Sequence, residues 1–114
     1  MSMIIGILRL EFRLHGNDSL KGKRKVSQSL KQKLRNKFNL AVSEVEAMDE
    51  HERLILAAVT VANETSRVES RLHKAMSLAE AAAPVEFVRG STEIFRSNQD
   101  PAESCADLLE GGSW

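Results

Sequence analysis

Between Met3 and Leu14 the chain alternates. Leu8, Leu10, Phe12 and Leu14 stand on one parity, and Arg9, Glu11 and Arg13 on the other. A period of two is that of a half-buried strand. His15-Gly16-Asn17-Asp18 interrupts it with turn formers. The period then changes. Val26, Leu30 and Leu34 recur every four residues, the spacing of a buried helical stripe. Ser19 stands where an N-cap hydroxyl would accept an N–H of the first turn. A helix is therefore predicted over about Leu20–Lys37, with Gly22 weakening its first turn.

Two strands are predicted next, Asn39–Ala47 and Leu54–Ala62, with the polar turn Met48-Asp49-Glu50-His51-Glu52 closing an antiparallel hairpin. The second of these is apolar on both parities, the pattern of a central strand covered on both sides. Asn63 is the predicted N-cap of a second helix over about Glu64–Ala82. Val68, Leu72, Ala75, Met76 and Ala79 form its inner stripe, and Pro84 stops it. The last strand is predicted over Val85–Phe95, kinked at Gly90. The order β-α-β-β-α-β with right-handed crossovers predicts an α+β, ferredoxin-like fold. It has a four-stranded antiparallel sheet, two helices on one face, and the first and third strands at its centre.

Residues 1–96 are read as this domain and residues 97–114 as an acidic C-terminal tail. Within the tail, Asp100-Pro101-Ala102-Glu103 has the form of a helix start, giving a short helix to about Glu110. No internal repeat and no linker is visible.

Composition changes this picture in three ways. The chain has 114 residues, enough for one modest core, and only 4% are aromatic, so Ile, Leu, Val and Ala must build that core. The lone Cys105 excludes an intramolecular disulfide and a thiolate-rich metal centre. Residues 1–8 lack the basic n-region of a signal peptide, and no run approaches the ~18–20 apolar residues of a membrane span. A cytoplasmic location without a membrane partner is expected.

The formal net charge of zero hides an asymmetry. Residues 1–40 hold 10 basic and 2 acidic groups, a balance of +8, and residues 41–114 hold 6 basic and 14 acidic groups, a balance of −8. Such segregation bears on partners rather than on the fold. Four of the cations, Lys21, Lys23, Arg24 and Lys25, crowd the start of the first helix. Free N–H groups and the positive dipole end already favour anions there. Each cation is disfavoured by about 0.3–1 kcal/mol without an anionic partner. Lys31, Lys33, Arg35 and Lys37 carry the charge farther along.

These eight residues with Ser19 are the candidate nucleic-acid or anion-binding set. One reading is contact with the phosphates of RNA or a ribosomal particle. The other is a solvated face that balances the acidic half of the molecule or of a partner subunit. Sheet-based RNA readers stack bases on aromatics of the central strands. Here Phe12 is on the core parity and the third strand has no aromatic, so RNA contact would run along the helix without base readout by the sheet.

Catalysis has no assembled group behind it. No G-x-S-x-G elbow or phosphate-cradling glycine loop occurs, and no histidine lies near Cys105. The acylphosphatases share this element order, but their glycine-rich arginine loop is missing after the first strand. His15, His51 and His73 are far apart in sequence. His51 with Asp49, Glu50 and Glu52 reads as a solvated acidic turn with at most a weak hold on a divalent ion. Glu44 and Glu46 alternate about Val45 and are expected on one strand face, where an exposed position or an ion pair with Arg9 or Arg13 outweighs a role as paired carboxylates. A non-enzymatic protein without cofactor or metal is expected.

The sheet face away from the helices should present Ile5, Ile7 and one register of the third strand, either Ile55, Ala57, Val59 and Val61 or its complement, given a shift of alternation near Gly6. An exposed apolar patch of this kind marks an interface. It is read as a homodimer contact, with cover by the C-terminal segment (Leu108, Leu109, Trp114) as the rival.

Several blocks resemble the small bacterial YlxP-like proteins, domain of unknown function 503. They are the opening Met3-Ile4-Ile5-Gly6-Ile7-Leu8-Arg9-Leu10, the helix start Ser19-Leu20-Lys21-Gly22-Lys23-Arg24-Lys25-Val26, the stretch from Phe38 to Val45, and Val61-Ala62-Asn63-Glu64. The Ser-Leu-Lys-x-Lys-Arg block is the most specific, and the resemblance covers about residues 3–95. It implies a ferredoxin-like fold and a gene setting among translation and ribosome-maturation functions. It implies no established activity. Met1-Ser2 and the acidic tail depart from the pattern, so the resemblance says nothing of the tail's role.

Overall fold

The structure, a computed structural model, describes residues 3–82 and 85–97. In chain order the elements are β1 (Met3–Arg13), α1 (Leu20–Lys37), β2 (Ala41–Glu46), β3 (Arg53–Ala62), α2 (Thr65–Glu80) and β4 (Glu86–Ser97). The sheet order is β2-β3-β1-β4, antiparallel throughout. This is the ferredoxin-like arrangement, and the central pair is β1 and β3 as their patterns predict. The short helix read in the tail and the stop at Pro84 lie outside the described residues.

The alternation of β1 sorts the core. Ile4, Gly6, Leu8, Leu10 and Phe12 face the helices, where they meet Leu54, Leu56 and Ala58 of β3 across a regular ladder. Leu30 and Leu34 of α1 and Val68, Leu72, Ala75 and Ala79 of α2 close the core from above. Phe12 sits edge-to-face on Phe87 of β4, with centroids 5.9 Å apart. Thr60 is buried on the same face, but its hydroxyl donates to the Asn39 carbonyl (2.8 Å) and accepts from Arg71 (2.8 Å), so its burial leaves nothing unpaired. Ile5 and Ile7 reach the opposite face by unbroken alternation, and no shift near Gly6 is needed.

The helix starts follow local chemistry. Ser19 is extended (φ −145°, ψ 150°), and its Oγ accepts from the Gly22 N–H at 3.1 Å. Gly22 does more than weaken the turn. A Cβ there would run into the Asn17 carboxamide, whose Nδ2 donates to the carbonyls of Ser19 (2.8 Å) and His51 (2.6 Å). That contact ties the β1–α1 turn to the hairpin turn. α2 begins one residue later than predicted: Glu64, not Asn63, is the extended cap residue, and no side chain caps it. Asn63 is one position too early to reach the first-turn N–H groups.

Two bulges redirect side chains. In β2 the register passes from Glu44↔Leu56 to Glu46↔Ile55, leaving Val45 unpaired. Glu44 and Glu46 therefore lie on opposite faces, which corrects the expectation that they share one. In β4 the irregularity falls at Val88, between Arg89↔Glu11 and Phe87↔Phe12, and not at Gly90. Gly90 has another reason to be small: a Cβ there would strike the Met76 thioether of α2.

Candidate nucleic-acid interface

The eight cations of α1 do not form one surface. Leu30 and Leu34 fix which side of the helix is buried. Stepping back along that stripe by three and four residues reaches Ser27 and then Lys23, and both are buried. Lys23 is 2% exposed. Its ammonium lies 2.9 Å from Glu44 Oε2 and donates to the Ala47 carbonyl. The β2 bulge turns Glu44 toward the helix, and Ala47 takes a positive φ of 55°. Lys23 therefore pins α1 to β2 and is not available to a phosphate, a correction to the predicted set.

Two further members are occupied in part. The Ser19 hydroxyl serves as the N-cap. Arg35 donates from its Nη2 to the Val42 carbonyl at 2.6 Å, fastening the end of α1 to the edge strand. The others carry no ion pair among the described residues. Lys21, Arg24 and Lys25 are exposed, Lys31 is half-buried, and Lys33 and Lys37 are exposed. At 100° per residue, Lys21 and Lys25 line the outer face with Gln28 and Gln32, Arg24 and Lys31 lie on the flank shared with Arg35, and Lys33 and Lys37 lie on the opposite flank. There Lys74 of α2 joins them, around a groove of about 730 Å³ that also includes Asn36, Phe38, Ser77 and Leu78. Lys74's part is not legible in the sequence, because only the packing of α2 beside α1 brings it there. The first turn of α1 holds no acidic residue to neutralise these charges.

The open sheet face is divided. At one end Met3, Ile5, Ile7, Val59, Val61 and Phe95 cluster, placed there by the registers of β3, β1 and β4. At the other, arginines and carboxylates pair. Arg9 reaches Glu46 at 3.0 Å, across β3, so the expected Arg9 pairing holds for Glu46. Glu11 takes Arg53 Nε at 3.0 Å and Arg89 Nε at 3.2 Å, one on each carboxylate oxygen.

The Arg53 hydrogen bond, aided by the charges of Arg53, Arg89 and Arg9, holds the Glu11 carboxyl below the usual glutamate range against the opposing effect of burial. A depressed carboxylate stabilises the fold above its unfolded pKa, and that contribution is lost as pH falls through the folded value. Urea midpoints should therefore fall more steeply from neutral pH into acid for the wild type than for Glu11→Gln. The difference should be small, because both arginines are largely exposed and screened by salt. Equal acid slopes for the two proteins would remove Glu11 from the acid response.

Among the described residues no group of three His, Cys, Asp or Glu side chains could hold a metal ion, and no helix is long and apolar enough to cross a membrane. His73 is exposed on α2, and His51 is exposed on the hairpin turn.

Fold and surface together define a ferredoxin-like α+β domain with a basic first helix and an open, half-apolar sheet. The chain belongs to the family described as protein of unknown function DUF503, whose model matches residues 5–92. No curated protein matches the sequence. Among solved structures, the de novo designed protein Foldit4 is similar at 7% identity and a TM-score of 0.48, covering 86% of this chain and 99% of its own. SnoaB, a cofactor-independent oxygenase from Streptomyces nogalater, is similar at 10% identity and a TM-score of 0.41, covering 87% of this chain and 96% of its own. A REP-associated tyrosine transposase bound to a REP hairpin is similar at 11% identity and a TM-score of 0.40, covering 95% of this chain and 68% of its own. At these identities and TM-scores the likenesses say nothing about activity.

Proposed function

We propose that the protein is a non-enzymatic, cytoplasmic accessory factor that binds structured RNA, on its own or within a ribosomal particle, through the exposed face of α1. The observation that carries this reading is the set of six cations, Lys21, Arg24, Lys25, Lys31, Lys33 and Lys37, without ion-pair partners among the described residues, on a helix whose first turn holds no acid. A helix about 27 Å long can present those of its outer face, with the cations of one flank, to several phosphates at once. The gene setting implied by the family resemblance points the same way. Contact is by charge and shape, since the sheet offers no central aromatic on its open face.

Reversing Lys21 and Lys25 to glutamate should weaken binding to an RNA hairpin at least tenfold at low salt. It should also reduce the salt slope by roughly one for each lysine. Salt-titrated fluorescence anisotropy and co-sedimentation with ribosomal particles measure both. Unchanged binding by the charge-reversed protein would sink the proposal. Binding to an acidic protein with no RNA affinity at physiological salt would replace it with a structural or regulatory module that holds an acidic protein partner.

The apolar end of the open sheet supports an additional role, holding a second copy of the chain. Val61 is 47% exposed and Phe95 43%, and both flank Met3 and Ile5. Val61→Glu should convert a dimer to a monomer in sedimentation velocity while leaving RNA affinity per chain unchanged. A wild type that sediments as a monomer at ~100 μM, roughly the Kd of a weak association, would exclude this role.

A further inference from the structure

The groove between α1 and α2 combines two properties that the rest of the basic surface lacks. Its rim carries Lys33 and Lys37 from α1 and Lys74 from α2, and no lining residue is acidic. Its lining also includes an aromatic ring, Phe38, beside Leu78 and Ala82. Phe38 is half-buried and packs against the core. Asn36 and Ser77 also line the groove. Three cations and an aromatic ring lining one groove, with neutral polar residues beside them, match a ligand that is anionic at one end and flat and polar-edged at the other.

We propose that this groove takes one unpaired nucleotide of the bound RNA. The base stacks on Phe38, and the flanking phosphates meet Lys33, Lys37 and Lys74. The inference rests on the proposed RNA-binding function and deepens it, from a backbone contact to a contact that requires a splayed base. RNA loops and bulges supply such bases, and aromatic side chains stack them with little sequence preference. An acidic peptide would satisfy the lysines, and its backbone could meet Asn36 and Ser77, but acidic side chains offer no flat face to the ring. The groove volume of about 730 Å³ lies within the range of roughly 300–1,000 Å³ found for ligand sites.

The experiment uses the isotopically labelled full chain and two RNA hairpins with one stem. One has a loop of four uridines and the other an abasic loop. Signals of Phe38, Leu78 and Ala82 should shift with the uridine loop and not with the abasic loop. Phe38→Leu, which keeps an apolar side chain at this position, should weaken the uridine-loop complex at least about fivefold and leave the abasic complex unchanged. Shifts confined to Lys21 and Lys25, equal for both hairpins, overturn the groove assignment and leave the α1 interface standing. Equal groove shifts with the abasic loop overturn the stacked base. Binding of neither hairpin removes the RNA-binding function itself, and the groove assignment with it. Saturation of the groove by a polyglutamate peptide, with no groove response to either hairpin, assigns it to protein and also overturns the proposal.

Discussion

Lys23→Met should lower stability by about 3 kcal/mol, the low end of what removing one partner of a buried ion pair does. The substitution leaves Glu44 without its counter-charge at a site where its side chain is only partly exposed, and the Ala47 carbonyl without its donor. Glu44 can turn somewhat toward solvent, which keeps the loss from being larger. Charge substitutions at Lys21 or Lys25, two residues to either side and on the outer face, should stay within about 0.5 kcal/mol. Urea unfolding of the three variants makes the comparison.

The double variant Lys23→Met/Glu44→Leu should recover much of the loss, because an apolar pair of similar volume leaves no charge stranded. Lys23→Met should also retain its RNA affinity per folded molecule, since its ammonium faces β2. If it unfolds no more readily than Lys25→Met, the buried pair does not anchor α1 to β2. If it instead loses RNA affinity while stable, Lys23 belongs back in the interface.

Lys23 also marks where the sequence stops being legible. The strand and helix patterns predict every element among the described residues, and the doubly apolar Leu54–Ala62 places β3 at the centre. Those signals are local: period two and period 3.6 follow from backbone geometry alone. A lysine on the buried stripe reads as surface charge until its partner is known, and that partner depends on the Val45 bulge. The bulge leaves no mark in composition. It turns Glu44 inward and Glu46 outward, so one extra residue decides two ion pairs on opposite sides of the sheet. The Asn63 cap failed for a related reason: capping residues score by type, and one position of slippage removes the contact. The groove at Phe38 was out of reach because Lys74 and Lys33 are 41 residues apart, and only helix-on-sheet packing brings them together.

Gly6→Ala is the second large effect expected, a loss of about 2 kcal/mol, within the range of 1–3 for overpacking a filled core. Gly6 lies in β1 beneath α2. An added Cβ would overlap Val68 Cγ1 and stand 3.0 Å from Leu72 Cδ1. Val68 and Leu72 are buried, and a β-branched side chain on a helix has one favoured rotamer, so Val68 has little freedom to turn aside. The gain of roughly 0.5–1 kcal/mol from replacing a glycine within a strand offsets only part of this.

Gly90→Ala is the natural control. Its added Cβ would meet chiefly the thioether end of Met76, a long side chain that can move, so the loss there should be clearly smaller. Removing the obstacle tests the cause. In Gly6→Ala/Val68→Ala the new methyl occupies space that Val68 vacates. The double variant should therefore be more stable than the sum of the two single losses by about 1 kcal/mol. For a domain of this size each kcal/mol corresponds to a Tm shift of about 4–8 °C, so calorimetry resolves all four proteins. Additive losses would mean that Gly6 does not set the distance between α2 and the sheet, and that the close approach is held by the rest of the core.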